Sequence, residues 1–113
     1  MPETHSPYIP QGRSEIIDQL GSMMLSKPTF EDDSGYFPGK SIDTEFHALN
    51  EGLRLIRNKL GEETYQTLED MSARMRAHFE ADPEDKTDDA LAGRQLIYDM
   101  QQILIASYGG KPA

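Results

Sequence analysis

The chain has 113 residues, with 20 Asp and Glu against 11 Lys and Arg, a net charge of −9 and no cysteine. At this length one hydrophobic core can form but two independent cores cannot, so we expect a single small domain. The missing cysteines exclude a disulfide framework, a thiolate nucleophile and a cysteine-based zinc site, and they favour a reducing, cytoplasmic location. The acidic balance argues against direct binding to nucleic acid or anionic lipid, because Lys and Arg drive both.

The hydropathy pattern predicts no membrane association. The longest uninterrupted apolar run covers residues 103–106, far short of the roughly 20 residues of a membrane-spanning helix. The N-terminus also lacks the basic and then apolar pattern of a signal peptide.

Both ends of the chain are predicted to be flexible. Prolines and a glycine interrupt residues 1–12, so we expect this segment to be extended and partly disordered. Gly109 and Gly110 end the last apolar pattern, and residues 109–113 should fray. A single helical domain over residues 13–108 remains between the two ends.

Apolar residues recur at spacings of three and four along four segments, which is typical of amphipathic helices. The predicted helices cover residues 14–26, 42–60, 62–81 and 88–108. The side chains placed to cap three of them are Ser14, Ser41 or Asp43, and Thr87. No alternation of period two is long enough for a strand. We therefore predict an all-α fold, a compact bundle of four main helices with an ordered loop over residues 29–40.

The last predicted helix carries the widest apolar stripe, which favours a central position in the bundle. The stripe includes Ala90, Leu91, Ile97, Tyr98, Met100, Leu104, Ile105 and Tyr108. Gly93 lies on or beside this stripe, where a glycine costs about 1 kcal/mol relative to alanine. We therefore expect Gly93 to allow the close approach of a neighbouring helix. Leu53 of the second helix and Leu104 are predicted core residues.

One segment superficially resembles a phosphate-binding loop. Three residues separate Gly35 from Gly39 before Lys40 and Ser41, whereas such a loop needs four. Pro38 also removes a backbone N–H donor that the loop would use. We interpret the segment as a turn that leads into the second helix.

Metal-binding and catalytic patterns are also incomplete. His5, His47 and His78 have no partnering histidine at a metal-binding spacing. An EF-hand loop starting at Asp82 would require its closing glutamate where Gly93 stands. No strand-turn-helix nucleophile elbow is present. We therefore predict a non-enzymatic protein without cofactor or metal.

Two acidic clusters and an aromatic pair are the candidate partner-binding residues. They are Glu31, Asp32, Asp33, Tyr36, Phe37, Asp82, Glu84, Asp85, Asp88 and Asp89. Because Tyr36 and Phe37 are adjacent in a loop rich in glycine and proline, we expect one to be buried and the other to be an exposed anchor. The acids also fit a solvated loop, in which Asp88 and Asp89 interact with the helix dipole.

A set of short motifs runs through residues 14–108. It consists of Phe30, Tyr36-Phe37-Pro38-Gly39, Asp43-x-x-Phe46-x-x-Leu49-x-Glu51-Gly52-Leu53, Leu60-Gly61 and Met75-Arg76-x-x-Phe79-Glu80. This pattern resembles small helical immunity proteins of bacterial polymorphic toxin systems, of the contact-dependent-inhibition or Rhs type.

The resemblance implies a cytoplasmic antidote that binds a cognate toxin domain, here one with a basic surface, and blocks its active site or substrate groove. It supplies no catalytic residues. The composition leaves two alternatives open. One is an acidic adaptor or nucleic-acid mimic that binds another basic protein, and the other, less favoured, is a small enzyme.

Overall fold

Five helices form the computed structural model of the chain, which describes residues 8–31 and 41–108. They are α1 (Arg13–Met24), α2 (Ile42–Leu55), α3 (Arg57–Leu60), α4 (Glu62–Ala81) and α5 (Asp88–Tyr108). No strand occurs within the two described ranges. The all-helical fold predicted from the apolar spacing is confirmed. Three predicted helices correspond to α1, α4 and α5, and the predicted second helix is divided into α2 and α3.

The helix predicted over residues 42–60 is divided at Ile56. The backbone of Ile56 has φ −105° and ψ 15°, outside the α-helical region, and its N–H donates to the Leu53 carbonyl at 3.2 Å. This turn directs Ile56 into the core, where it is 2% exposed. The following turn, α3, ends at Gly61, whose φ of +88° is a conformation that glycine adopts without steric strain.

The bundle places α2 and α5 at opposite corners. α5 packs against α1 and α4, and α2 packs against the same two helices. α1 and α5 run antiparallel. At one end Arg13 Nε donates to Ser107 Oγ at 2.7 Å, and at the other Arg94 Nη2 donates to the Ser26 carbonyl at 3.3 Å.

The core contains the apolar stripes predicted for α1, α2 and α4. Its members on these helices include Ile16, Leu20, Met23, Phe46, Leu49, Leu53, Tyr65, Leu68, Met71, Met75 and Phe79. Phe30, from the segment after α1, packs edge to face against Phe46 and Phe79, with ring centroids 6.0 and 5.3 Å apart. Phe30 has φ 59°, an unfavourable conformation for a bulky residue, and its burial at the centre of the core stabilises it.

Two glycines allow close packing onto their helices. A Cβ on Gly93 would lie 2.7 Å from Cε1 and Cζ of Phe79, which confirms the predicted close approach of a neighbouring helix, here α4. A Cβ on Gly52 would lie 3.2 Å from the ring of Pro10. Pro10 is buried, so part of the segment expected to be flexible over residues 1–12 packs on α2 instead. The ring of Pro10 is apolar, and burying it leaves no N–H unsatisfied.

Two predicted N-caps are confirmed. Ser41 Oγ accepts from the Thr44 N–H at 3.4 Å, and Thr44 Oγ1 accepts from the Ser41 N–H at 2.9 Å. This reciprocal pair is a capping box, and it starts α2. Thr87 Oγ1 accepts from the Asp89 N–H at 3.1 Å and caps α5.

The cap predicted at Ser14 is wrong. α1 begins at Arg13, with Gly12 at the N-cap and no side-chain cap hydrogen bond. Glu15 Oε1 instead accepts from the Gln11 N–H at 2.8 Å. The helix start is therefore stabilised by a carboxylate in its first turn, where the helix dipole also favours negative charge.

Candidate protein-binding surface

α5 is apolar on two sides, and the bundle covers one of them. The inner side is buried against α1 and α4 and includes Ala90, Gly93, Ile97, Met100 and Leu104. The outer side carries Leu91, Tyr98 and Ile105, which are 66%, 50% and 48% exposed. We call these three residues the outer row.

The central position predicted for the last helix is therefore wrong, because one side of its apolar stripe is exposed. The residues of the outer row belong to the wide stripe predicted from the sequence, but α5 packs mainly against α1 and α4, which leave this side uncovered. The side chain of Tyr108, the last member of the predicted stripe, lies outside the described part of the chain.

The outer row is straight. Leu91, Tyr98 and Ile105 are seven residues apart, and seven residues are close to two helical turns, so the three side chains project from the same side of α5. At 1.5 Å per residue the row spans about 21 Å along the helix. Gln95 and Gln102 are the exposed residues between its members, so the row is bordered closely by uncharged groups.

We call the strip of surface between the outer row and α1, where Gly21 has no side chain, the groove. A Cβ on Gly21 would meet only Gln101 Nε2, at 3.5 Å, and Gln101 Nε2 itself donates to the Ile17 carbonyl at 3.1 Å. Gly21 and the side chain of Gln101 therefore lie at the base of the groove. Leu25 follows Gly21 by one helical turn and is 89% exposed, which adds a fourth apolar side chain beside the groove.

Arg94 lies at the end of the groove where Leu25 stands, and it is already engaged. Its Nη1 and Nη2 donate to Oδ1 and Oδ2 of Asp85 at 3.2 and 3.0 Å, and Nη2 also reaches the Ser26 carbonyl. The Arg94 side chain is 22% exposed. The bond to Ser26 joins the end of α1 to the start of α5, and the bidentate pair with Asp85 neutralises the Arg94 charge.

The acids of the 82–89 segment have different roles, and the inclusion of Asp82 among the partner-binding residues needs correction. Asp82 is 3% exposed. Its carboxylate accepts from the backbone N–H groups of Lys86, Thr87 and Ala90 at 2.7, 2.9 and 3.1 Å. Asp82 therefore joins the end of α4 to the start of α5, and it is not available to a partner.

The electrostatics of Asp82 agree with this structural role. Burial of the carboxyl raises its pKa, but the hydrogen bonds from the Lys86, Thr87 and Ala90 backbone and from the Thr87 hydroxyl outweigh that effect and lower the pKa to about 2. Asp82 is consequently ionised at every physiological pH.

Three other acids of this segment are paired with neighbouring side chains. Asp85 binds Arg94, Glu84 Oε1 lies 3.0 Å from Lys86 Nζ, and Asp89 Oδ1 lies 2.8 Å from His78 Nδ1. Asp88 is exposed and forms no ion pair with another described residue. The segment is thus largely a helix junction, with Asp88 as its unpaired surface charge.

The second predicted cluster lies mostly outside the described residues. Of its members only Glu31 is described, and it is exposed. Glu31 borders an open depression of about 350 Å³, together with Thr29, Ser41, Asp43 and Glu80. Asp32, Asp33, Tyr36 and Phe37 lie outside the described ranges, as does most of the predicted 29–40 loop and of the segment resembling a phosphate-binding loop.

Neither a metal-ligand group nor a membrane-crossing helix is present among the described residues. Within residues 8–31 and 41–108, no three His, Asp or Glu side chains are grouped so that they could hold a metal ion. None of the helices in these ranges combines the length and the apolar character that a membrane crossing requires.

Comparison with protein-family models, curated proteins and solved structures finds no match to this chain. Function must therefore be inferred from the chemistry of its own surface. The outer row is a feature of that surface that does not contribute to the core, because its large apolar side chains are exposed.

Proposed function

We propose that this chain is a cytoplasmic immunity protein, a non-enzymatic antidote that binds a cognate bacterial toxin domain and occludes its active site or substrate groove. The observation that supports the proposal is the outer row, an uncovered line of large apolar side chains on a chain with a net charge of −9. Contiguous exposed apolar residues bordered by polar ones are typical of protein-binding surfaces.

The negative charge and the exposed apolar row act at different stages of binding. A toxin domain that acts on nucleic acid needs a cationic groove for phosphate, and an acidic protein is attracted to such a groove over long range. This attraction accelerates encounter. Dehydration of Leu91, Tyr98 and Ile105 then slows release, because buried aromatic and aliphatic anchors carry most of the binding energy of an interface.

The proposal is tested with any toxin domain found encoded beside the gene. Co-expression of this chain should restore the growth of cells that produce the toxin domain, and the two purified proteins should form a stable complex. Tyr98→Asp should weaken the complex by about 30-fold or more, the effect of losing about 2 kcal/mol at a hot spot.

Leu55→Asp is the matched control. Leu55 is 52% exposed, almost the same as Tyr98, but it lies on α2 at the opposite corner of the bundle from α5. This variant should bind and protect like the parent. If the unchanged chain neither binds nor protects against any neighbouring toxin, the immunity function is wrong, and an adaptor or mimic of another class becomes the better interpretation.

A further inference from the structure

The dimensions of the outer row indicate the kind of element that it can receive. Successive residues of the row are seven apart, so they repeat at about 10.5 Å along α5. Another α-helix with apolar residues every seven positions has the same repeat, so its side chains can fit between those of the row along the whole length. Side chains on one face of a strand repeat at about 6.6 Å. This repeat does not match that of the outer row, so a strand could not place a side chain against each member of the row.

The groove between α1 and α5 provides space for such a helix. Gly21 has no side chain there, and the hydrogen bond from Gln101 Nε2 to the Ile17 carbonyl keeps the Gln101 side chain against α1. The exposed Leu25 stands on the α1 side, opposite Leu91 and Tyr98 on the α5 side. A helix lying there would contact apolar groups on both walls, which is the helix-in-groove mode of recognition.

The charges on both sides of the outer row indicate the composition of the partner helix. Asp18 lies on α1, and at about 100° per residue Asp88 and Asp99 lie on the side of the row away from α1. We call these three carboxylates the acidic rim, and none of them is paired with a described cation. The only base of α5, Arg94, is occupied by Asp85. A helix with Lys or Arg beside its apolar residues complements this rim. A second copy of this chain would instead oppose acid to acid and add another net charge of −9.

We infer that the segment of the toxin domain received by the outer row is a cationic amphipathic helix, lying along α5 over the outer row with α1 at one side. The inference rests on the proposed function and specifies the partner element and the surface that binds it. The apolar residues of the helix contact Leu91, Tyr98 and Ile105, and its basic residues face Asp18, Asp88 and Asp99.

Site-specific photo-crosslinking within the co-purified complex tests the inference. A benzophenone side chain is introduced at Tyr98 in one preparation and at Leu55 in another, and the crosslinked toxin peptides are identified by mass spectrometry. Position 98 should crosslink to a helical toxin segment that carries Lys or Arg and apolar residues at intervals of three, four and seven. Position 55 should give no crosslink.

The possible outcomes separate the inference from the proposed function. If the complex forms and protects cells but crosslinks arise from position 55 alone, the surface is wrong and the immunity function survives. Crosslinks from position 98 to a strand, or to a segment without bases, overturn the partner helix. Failure of the unmodified chain to bind or protect overturns both.

Charge reversal on the rim provides a second readout. Asp18→Lys and Asp99→Lys should each slow association by about three- to tenfold at low salt, and the difference should disappear in high salt. Asp70→Lys changes the net charge equally on α4, where Asp70 faces solvent beside Arg74, and should slow association less than twofold. Equal effects of all three variants would contradict a local rim contact.

Sedimentation of the chain alone tests whether the outer row mediates self-association. The parent should sediment as a monomer at micromolar concentration. A dimer that Tyr98→Asp dissociates would show that the row receives a second copy, and it would overturn the cationic helix as its occupant.

Discussion

The two sides of α5 have similar apolar composition and opposite roles. Ile97 and Leu104 are fully buried on the inner side, whereas Tyr98 and Ile105, one residue further along, are about half exposed. The difference lies in what covers them, because α1 and α4 occupy the inner side. Burial makes the inner side the source of stability, and exposure makes the outer row available for binding.

The largest effect is expected on the inner side. Leu104→Ala should lower the free energy of unfolding by about 2–5 kcal/mol, because the side chain is fully buried and its removal leaves a cavity. Leu53→Ala, at a site 1% exposed on α2, should have an effect in the same range. Urea denaturation measures both changes. If both variants unfold like the parent, the described core is wrong.

Two glycine substitutions compare the contact of α5 with α4, at Gly93, and its contact with α1, at Gly21. Gly93→Ala should destabilise the fold by about 1–3 kcal/mol, because the new Cβ would lie 2.7 Å from a Phe79 ring that Phe30 holds in place. Gly21→Ala meets only the flexible end of Gln101 at 3.5 Å. It should gain up to about 1 kcal/mol from helix propensity.

Thermal melts of the two glycine variants under the same conditions show the difference in sign. Stabilisation by Gly93→Ala would mean that α4 and α5 do not approach as closely as described. Destabilisation by Gly21→Ala would mean that the groove is closed and too narrow for a partner helix.

The junction between α4 and α5 should give a smaller, pH-dependent effect. The pKa of Asp82 is 3.8 without its interactions and about 2 in the fold. The folded state therefore binds the proton less readily than the unfolded state, so Asp82 stabilises the fold above about pH 4 and loses that contribution as the pH falls towards 2. Asp82→Asn removes the charge at every pH.

Melting temperatures of the parent and of Asp82→Asn should therefore differ by several degrees at pH 7 and converge towards pH 2. Glu62, whose pKa is also lowered to about 2, by hydrogen bonds from Arg57 and then Gln66, is present in both proteins and cancels in the comparison. A gap that stays constant from pH 7 to pH 2 would contradict the role of the Asp82 carboxylate.

Local patterns predicted most of the helices. Ser41 and Thr87 are caps with short side chains that bond to their own helix starts, so their role depends on neighbours in sequence. Gly93 was identified because a glycine inside a helix lowers stability. Its contact with Phe79 of α4 is the close helix approach that the sequence predicted. The break at Ile56 was not predicted, because Ile56 follows the helical spacing of Phe46, Leu49 and Leu53 and turns only to enter the core.

The candidate surface was harder to predict because exposure is a tertiary property. A stripe that covers Ala90, Leu91, Ile97 and Tyr98 spans more of a helix than two neighbours can bury, and this width was the available signal for an uncovered side. Asp82 had the opposite problem. Its position in an acidic run suggested a surface charge, whereas the turn between α4 and α5 brings three backbone N–H donors around the carboxylate.

The smallest effect on stability should come from the outer row. Leu91→Gln, Tyr98→Gln and Ile105→Gln replace exposed side chains on a helix with a good helix former, so each should change the free energy of unfolding by less than about 0.5 kcal/mol. The triple variant should therefore melt close to the parent while losing affinity for the toxin domain. Loss of stability by more than about 1 kcal/mol at each site would show that the row is covered within the fold. That result would erase the difference between the two sides of α5, and with it the surface on which the proposed binding depends.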